Sequence, residues 1–260
     1  MLKASLADKA RHHIKQWIIH YHLKPGSLLN VGVLARSLEM SHTPVREALS
    51  MLEREHMIER RPQKGYVVRG LNLQEIEDLY DLRISLEQLA AHQAAKRIQH
   101  PERERLAAIL EKVGRSLKAP NKPRILDLEQ EFHVVIFKAS GNRALAEIGC
   151  GILDRIWIIQ NINLLTTSHL SDAHPQHLQV FEAIASGDSR QAAALMKKHI
   201  TLAKDFVLSR LKRSDDVLSH WMLGAPLQGP IPVTLRKSDG NASKARRKPP
   251  AEGPRKGDRP

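Results

Sequence analysis

The stretch MSHTPVREALSML, residues 40–52, carries polar and apolar side chains at helical spacing. Val45 and Leu49 are four residues apart and therefore share one face of a helix. Thr43 and Arg46 lie on the opposite face, near the N-terminal end of that helix. A short hydroxyl donor suits phosphate oxygens, and an arginine can bind the O6 and N7 atoms of guanine. The pattern predicts a helix that reads DNA.

A basic turn follows this helix. The segment RRPQKGY places positive side chains around a Pro-to-Gly turn, where they suit the DNA backbone or the minor groove. A single exposed arginine on a helix usually only faces water. The prediction therefore depends on the combination of the helix, the turn and the basic wing. The candidate DNA-binding residues are Ser41, His42, Thr43, Arg46, Arg60, Arg61, Lys64 and Gly65.

The elements that must position these residues lie in the first 70 residues. Apolar residues at helical spacing predict a helix over 8–22, which the breakers in LKPG at 23–26 end. NVGVLARSLEM predicts a second short helix, and Ser41 or Thr43 can cap a third one that runs to about His56. MIERRPQKGYVV then alternates like two short strands. This order predicts a winged helix-turn-helix.

After Leu71 the sequence shows long helical patterns without strand-like alternation, which predicts an all-α bundle of about six helices. The predicted helices are 73–98, 101–118, 124–139, 143–165, 172–186 and 189–213. Near the end Pro, Gly, Lys and Arg dominate, which predicts a largely disordered basic tail. The expected organisation is a DNA-binding domain at 1–70, a helical domain at 71–215 and the tail at 216–260.

The net charge of +13 is concentrated at the two ends. Residues 1–70 hold 12 Lys and Arg against 6 Asp and Glu, and residues 236–260 hold 9 against 3. The middle is nearly balanced, with 20 against 19. Basic ends on a soluble chain favour a nucleic acid partner over a membrane. The tail could add non-specific affinity for phosphate or serve only as a solubilising end.

Cysteine content and hydropathy indicate the compartment. Cys150 is the single cysteine, so the chain cannot form an internal disulfide framework, which suits a reducing environment. The N-terminus lacks the apolar core of a signal peptide, and no apolar run reaches the length of a membrane span. We therefore expect a cytoplasmic protein without a membrane partner.

The first 70 residues resemble the winged-helix domain of GntR-type bacterial transcription regulators. The resemblance rests on the PG turn, on a Leu-Ala pair, on the motif S-x-T-P-V-R-E-A-L and on the P-x-x-G wing. It implies a bacterial, nucleoid-associated regulator that binds double-stranded operator DNA as a homodimer, most simply as a repressor. Two positions depart from the family pattern: His42 replaces an arginine, and His56 replaces a glycine that would end the recognition helix.

The helical half resembles the FCD ligand-binding domain of the FadR-type branch of that family, over residues 73–212. The resemblance rests on LYDLRISLEQLAAHQAAKR, EQEFHVVIFKASGN, HLQVFEAIASGD and ALMKKHI. In many such domains an Asp and three His hold a divalent metal. The corresponding residues here are Glu129, His133, His177 and His199.

The spacing of these residues supports the implied metal site. Glu129 and His133 are four residues apart, and His177 and His199 each fall on an apolar stripe of a different helix. A single core histidine is more often hydrogen-bonded than ligating, but three histidines with a carboxylate suit Zn²⁺, Ni²⁺ or Mn²⁺. His169 and His174 lie close by in the sequence and are not expected to be ligands, whereas Glu129 replaces the usual Asp.

The family also implies a small organic acid as effector. Arg83 would bind its carboxylate beside the metal, and Asn142 would add an amide contact or simply cap a helix. Two other functions stay open at this point. One is a metal-dependent hydrolase that uses the His and Glu residues, and the other is a non-specific DNA-packing protein.

Overall fold

The chain is mainly helical, as the sequence predicts. The computed structural model describes residues 5–118, 122–160 and 167–213, which form nine helices and three short strands. The elements in chain order are α1 (Leu6–Ile19), β1 (Leu28–Leu29), α2 (Val31–Leu38), α3 (His42–Arg54), β2 (Ile58–Arg61), β3 (Gly65–Val68), α4 (Leu73–Arg97), α5 (His100–Lys118), α6 (Lys122–Ala139), α7 (Arg143–Gln160), α8 (Thr167–Ala185) and α9 (Ser189–Arg213).

The first three helices form a small core that fixes α3. Ile14 and Ile18 of α1 and Leu49 of α3 are fully buried, and α1 and α2 both pack against α3. Asn30 caps α2, because its side chain accepts a hydrogen bond from the backbone N–H of Val33 at 3.0 Å. The buried face of α3 is therefore the apolar face that its sequence predicts.

The three strands form one antiparallel sheet in the order β1-β3-β2. In its register Ile58 of β2 lies opposite Val68 of β3, and Arg61 lies opposite Gly65. The sequence predicts β2 and β3 but not β1, because two residues are too few to show an alternating pattern. The winged helix-turn-helix is present with one additional short strand.

The helical part is built around α4 and α9, which pack along each other. Small buried residues of α4, such as Ala90, Ala91 and Ala94, allow the close approach. The six predicted helices are all present, with ends within a few residues of the expected ones; residues 161–165 of the fourth, and the predicted tail at 216–260, lie outside the described residues. No helix in the described part is long and apolar enough to span a membrane.

His56, directly after the end of α3, has a φ of 57°. This left-handed conformation costs a residue with a side chain about 1–2 kcal/mol, whereas glycine adopts it without strain but loses about 0.5–1 kcal/mol more backbone entropy on folding. We therefore expect His56→Gly to raise the free energy of unfolding by about 0.5–1 kcal/mol in urea denaturation. Ser50→Gly, inside α3, is the control and should lower it by about 0.5 kcal/mol. A lower free energy of unfolding for His56→Gly would contradict the inference that the backbone at His56 is strained.

Candidate functional site

The exposed face of α3 carries the polar residues that the sequence assigns to DNA. Ser41, His42, Thr43 and Arg46 are all exposed, whereas Val45 is fully buried. Ser41 occupies the N-cap position, but its side chain makes no capping hydrogen bond. The N-terminal end of α3 therefore presents hydroxyl groups, an imidazole and a guanidinium on one surface, with the positive end of the helix dipole behind them.

The wing presents further positive side chains. Arg60 and Lys64 are exposed, and Gly65 has a φ of 81°, which suits the tight turn between β2 and β3. Arg61 is the exception, because its Nε donates a hydrogen bond to Glu59 Oε1 at 2.6 Å. Arg60 and Lys64 thus carry the charge that the wing offers to a phosphate backbone.

Three histidines from three helices meet inside the helical part. His133 of α6, His177 of α8 and His199 of α9 are buried, and each offers a ring nitrogen within 4.8 Å of the other two. Nε2 of His177 lies 2.8 Å from Nε2 of His199. Among the residues that the structure describes, these three form the group close enough to hold one metal ion. His169 and His174 lie outside it, as expected.

An oxygen atom lies close to Nδ1 of each of these histidines; it accepts a hydrogen bond from His133 and His199, whereas Nδ1 of His177 makes no hydrogen bond. The pairs are His133 with Glu87, His177 with Glu129 at 3.1 Å, and His199 with Gln176 at 2.9 Å. In His133 and His199 an acceptor at Nδ1 favours the ring proton on that atom, which leaves Nε2 with its lone pair. The Nε2 atoms of His177 and His199, 2.8 Å apart, are close enough to share a proton or a metal ion. This arrangement is typical of histidines that bind a metal through Nε2.

The two carboxylates next to the histidines are ionised. Burial raises the pKa of Glu87, but the adjacent His133 ring and Arg83 guanidinium outweigh burial and lower that pKa to about 2. The pKa of Glu129 is also lowered, since neighbouring imidazoles outweigh the opposing effect of burial. Glu129 Oε1 is buried and has no hydrogen-bond partner. An ionised, unsatisfied oxygen at this depth needs a compensating positive charge.

Two of the three imidazoles favour the neutral form. Burial lowers the pKa of His133, and it lowers that of His199 well below the ordinary value. Arg83 remains charged, so two carboxylates and one guanidinium leave a net charge of −1 beside the three rings. A divalent cation compensates this charge, and the residues therefore fit such an ion.

Glu129 is not among the three side chains that offer ligand atoms within 4.8 Å of one another. Its Oε2 lies 3.1 Å from Nδ1 of His177, and its Oε1 is buried without a hydrogen-bond partner. In this arrangement Glu129 lies beside the ring of His177, and its role as a direct ligand stays a prediction.

A small cavity of about 30 Å³ adjoins the histidines. Arg83, Gln130 and Gln160 supply polar groups to its wall. Arg83 is buried, and its Nε donates a hydrogen bond to Glu87 Oε1 at 2.6 Å, which fixes the guanidinium beside the cavity. Arg83 thus lies close to the three histidines, beside the cavity.

Asn142 does not line this cavity. Its Oδ1 accepts a hydrogen bond from the backbone N–H of Leu145 at 3.1 Å, so it caps α7. Two residues of the site were missed. The sequence did contain a signal for Glu87, because a carboxylate four residues after Arg83 can pair with it on the same face of the helix, next to alanines. Nothing in the sequence indicates a role for Gln176.

Comparison with known proteins identifies the family. The model described as bacterial regulatory proteins of the gntR family matches residues 6–68, and the FCD domain model matches residues 78–202. The Nta operon transcriptional regulator of Aminobacter aminovorans is 31% identical over 194 residues, which cover 75% of this chain and 90% of that protein. The chain belongs to the GntR family.

Other GntR regulators share the fold. The HTH-type transcriptional repressor GlaR of Escherichia coli K12 is 26% identical over 197 residues, covering 72% of this chain and 89% of that one. The solved structure of E. coli McbR/YncC superposes with a TM-score of 0.73 at 20% identity, over 80% of this chain and all of the other. GntR members are DNA-binding transcription regulators and not enzymes, so the hydrolase alternative is set aside.

Proposed function

We propose that this GntR regulator is a ligand-responsive repressor whose helical domain binds a small carboxylate effector through a divalent metal. The observation that carries the proposal is the convergence of three buried histidines beside Arg83 in a net-negative interior. The repressor role is supported by relatives that are named repressors, GlaR and the gluconate operon repressor of Bacillus subtilis. We assign DNA binding to residues 1–70 and effector binding to residues 71–215.

The metal would be held by His133, His177 and His199. Three imidazoles suit Zn²⁺, Ni²⁺ or Mn²⁺ and leave coordination positions for a carboxylate oxygen. The ion would act as a Lewis acid that binds this oxygen. Glu87 and Glu129 hold the rings in the ligating orientation and contribute the negative charge that retains the ion.

The effector would place its carboxylate between the metal and Arg83. Glu87 accepts a hydrogen bond from Nε of Arg83. The terminal N–H groups of the Arg83 guanidinium would therefore bind the carboxylate of the effector. A cavity of about 30 Å³ holds only about two water molecules. A small acid therefore has to displace the cavity walls when it binds, and this expansion gives the effector unequal affinity for two conformations, as a switch requires.

DNA binding would use the exposed face of α3 and the wing, with Arg46 as the base-reading residue. To test this, the duplex preferred by the protein is selected from a random library, and its dissociation constant is measured at fixed salt. Arg46→Ala is expected to weaken binding by about 1–3 kcal/mol. Arg54→Ala, at the far end of α3, is the control and should change it little. If Arg46→Ala binds this duplex as tightly as the parent chain, or if Arg46→Ala and Arg54→Ala lose the same amount of affinity, the proposal is contradicted and non-specific DNA packing is favoured.

The active form is proposed to be a homodimer, because one recognition helix covers a half-site. Leu82 and Leu89 of α4 are 45% and 43% exposed and lie seven residues apart, so they form an apolar strip on one face. Leu82→Glu with Leu89→Glu is expected to convert the dimer to a 29.3 kDa monomer in light scattering. Leu178→Glu, an exposed leucine of α8, is the control and should leave the dimer intact. A persistent dimer in the double variant would exclude this face.

A further inference from the structure

A cluster of four charged side chains connects α3 with α7. Nζ of Lys15 on α1 lies 2.7 Å from Glu55 Oε2 and 2.5 Å from Asp154 Oδ2. Nη1 of Arg11, one turn earlier on α1, lies 2.7 Å from Glu55 Oε1. Glu55 is the C-cap residue of α3, and Asp154 lies on α7. One ammonium group therefore joins the end of the recognition helix to the helical domain.

This cluster is better shielded from solvent than an ordinary surface ion pair. The side chains of Lys15 and Asp154 are only 15% and 20% exposed, and two positive groups face two negative ones. Ion pairs in such partly buried positions are screened less by salt than exposed ones. Removing one partner leaves a neighbouring charge without compensation, so the network responds strongly to any displacement of its members.

Asp154 also contacts the wall of the metal and effector cavity. Its Oδ1 accepts a hydrogen bond from Gln130 Nε2 at 3.3 Å, whereas Oδ2 faces Lys15. Gln130 lines the cavity and directly follows Glu129 on α6, and Leu153, next to Asp154, lines the cavity as well. The two oxygens of Asp154 thus face the effector site and the DNA-binding domain, respectively.

We propose that Asp154 and Lys15 form the route by which occupancy of the histidine site reaches the recognition helix. The inference rests on the proposed function, since it takes the histidines as the metal-binding site. Ligation draws His133 and the rest of α6 toward the ion, which alters the Gln130–Asp154 hydrogen bond, already near the long limit for such bonds. The ion pair between Asp154 and Lys15 then changes its length, and Lys15 moves relative to Asp154 and Glu55.

The test uses the full chain, stripped with EDTA and then titrated with Zn²⁺ alone. Calorimetry gives the Zn²⁺ affinity, and hydrogen exchange follows the backbone amides of residues 50–56 at the end of α3. In the parent chain Zn²⁺ is expected to slow the exchange of these amides by about fivefold or more. Asp154→Asn and, separately, Lys15→Met should bind Zn²⁺ with unchanged affinity but lose this response.

Lys9→Met is the matched control, because Lys9 is an exposed lysine of the same helix. It should keep both the Zn²⁺ affinity and the response of α3. The route is wrong, and the metal site is not affected, if Zn²⁺ binds the parent chain but leaves the exchange of residues 50–56 unchanged. The same conclusion follows if both charge variants keep the response. If Zn²⁺ does not bind the parent chain, both the metal site and the route are wrong.

Discussion

Replacing His199 by alanine is expected to lower the affinity of the protein for Zn²⁺ by two to three orders of magnitude. Four-ligand zinc sites bind with about 10–16 kcal/mol, so each ligand contributes roughly 3–4 kcal/mol. His199 fits the role of ligand because its Nε2 faces that of His177 at 2.8 Å, while Gln176 accepts at its Nδ1. Isothermal titration of the EDTA-stripped full chain measures the loss directly.

Two further variants separate ligation from packing. His169→Ala removes an imidazole that lines the same cavity and stacks on Phe206, but that lies outside the metal-binding group, so the Zn²⁺ affinity should stay unchanged. Glu87→Gln keeps all three ligands but weakens the acceptor that holds His133, and it should lower the affinity by about 10- to 100-fold. Equal losses in the His199 and His169 variants would mean that the cavity, rather than ligation, controls the binding.

Gly149→Ala is expected to lower the free energy of unfolding by about 3 kcal/mol, the upper part of the range for an overpacked core. Gly149 lies where α7 crosses α6, and a Cβ atom there would lie 2.3 Å from Cε1 and 2.4 Å from Cζ of Phe137. Phe137 is only 1% exposed, so its ring has little room to move away. Urea denaturation in EDTA measures the change without a contribution from metal.

Gly151→Ala is the control on the same helix. A Cβ atom at position 151 would meet no other atom within 4 Å, so the variant should gain up to about 1 kcal/mol from the higher helix propensity of alanine. The contrast between the two glycines tests how closely α6 and α7 pack. Equal stability of the two variants would show that the ring of Phe137 lies elsewhere in solution.

The helices and the exposed face of α3 follow from sequence because both depend on local patterns. Val45 and Leu49 mark the buried face of α3 by their spacing, and the exposed residues between them then follow. His56 could likewise be expected in a left-handed conformation from its place at the end of the helix. The two-residue strand β1 was not predicted, because it pairs with β3, which lies far from it in the sequence.

The sequence predicted that three histidines would lie close together, but not the contacts around them. Spacing and resemblance brought His133, His177 and His199 together, whereas the position of Glu129 at the outer edge of His177 depends on side-chain geometry that spacing does not determine. Asn142 shows the same limit, since an amide after a helix break serves equally as a cap or as a ligand contact. The charge cluster around Lys15 joins this residue to Glu55, 40 positions away, and to the still more distant Asp154, only in the folded chain.

The proposed function depends above all on a divalent ion held by three imidazoles in the helical domain. X-ray absorption at the zinc edge of the Zn²⁺-loaded full chain tests this directly. A first shell that contains three imidazole nitrogens at about 2.0–2.1 Å is the expected result, with oxygen in the remaining position. His199→Ala should show one imidazole fewer. A spectrum of oxygen ligands alone, or one unchanged in the His199 variant, would contradict the proposed metal site.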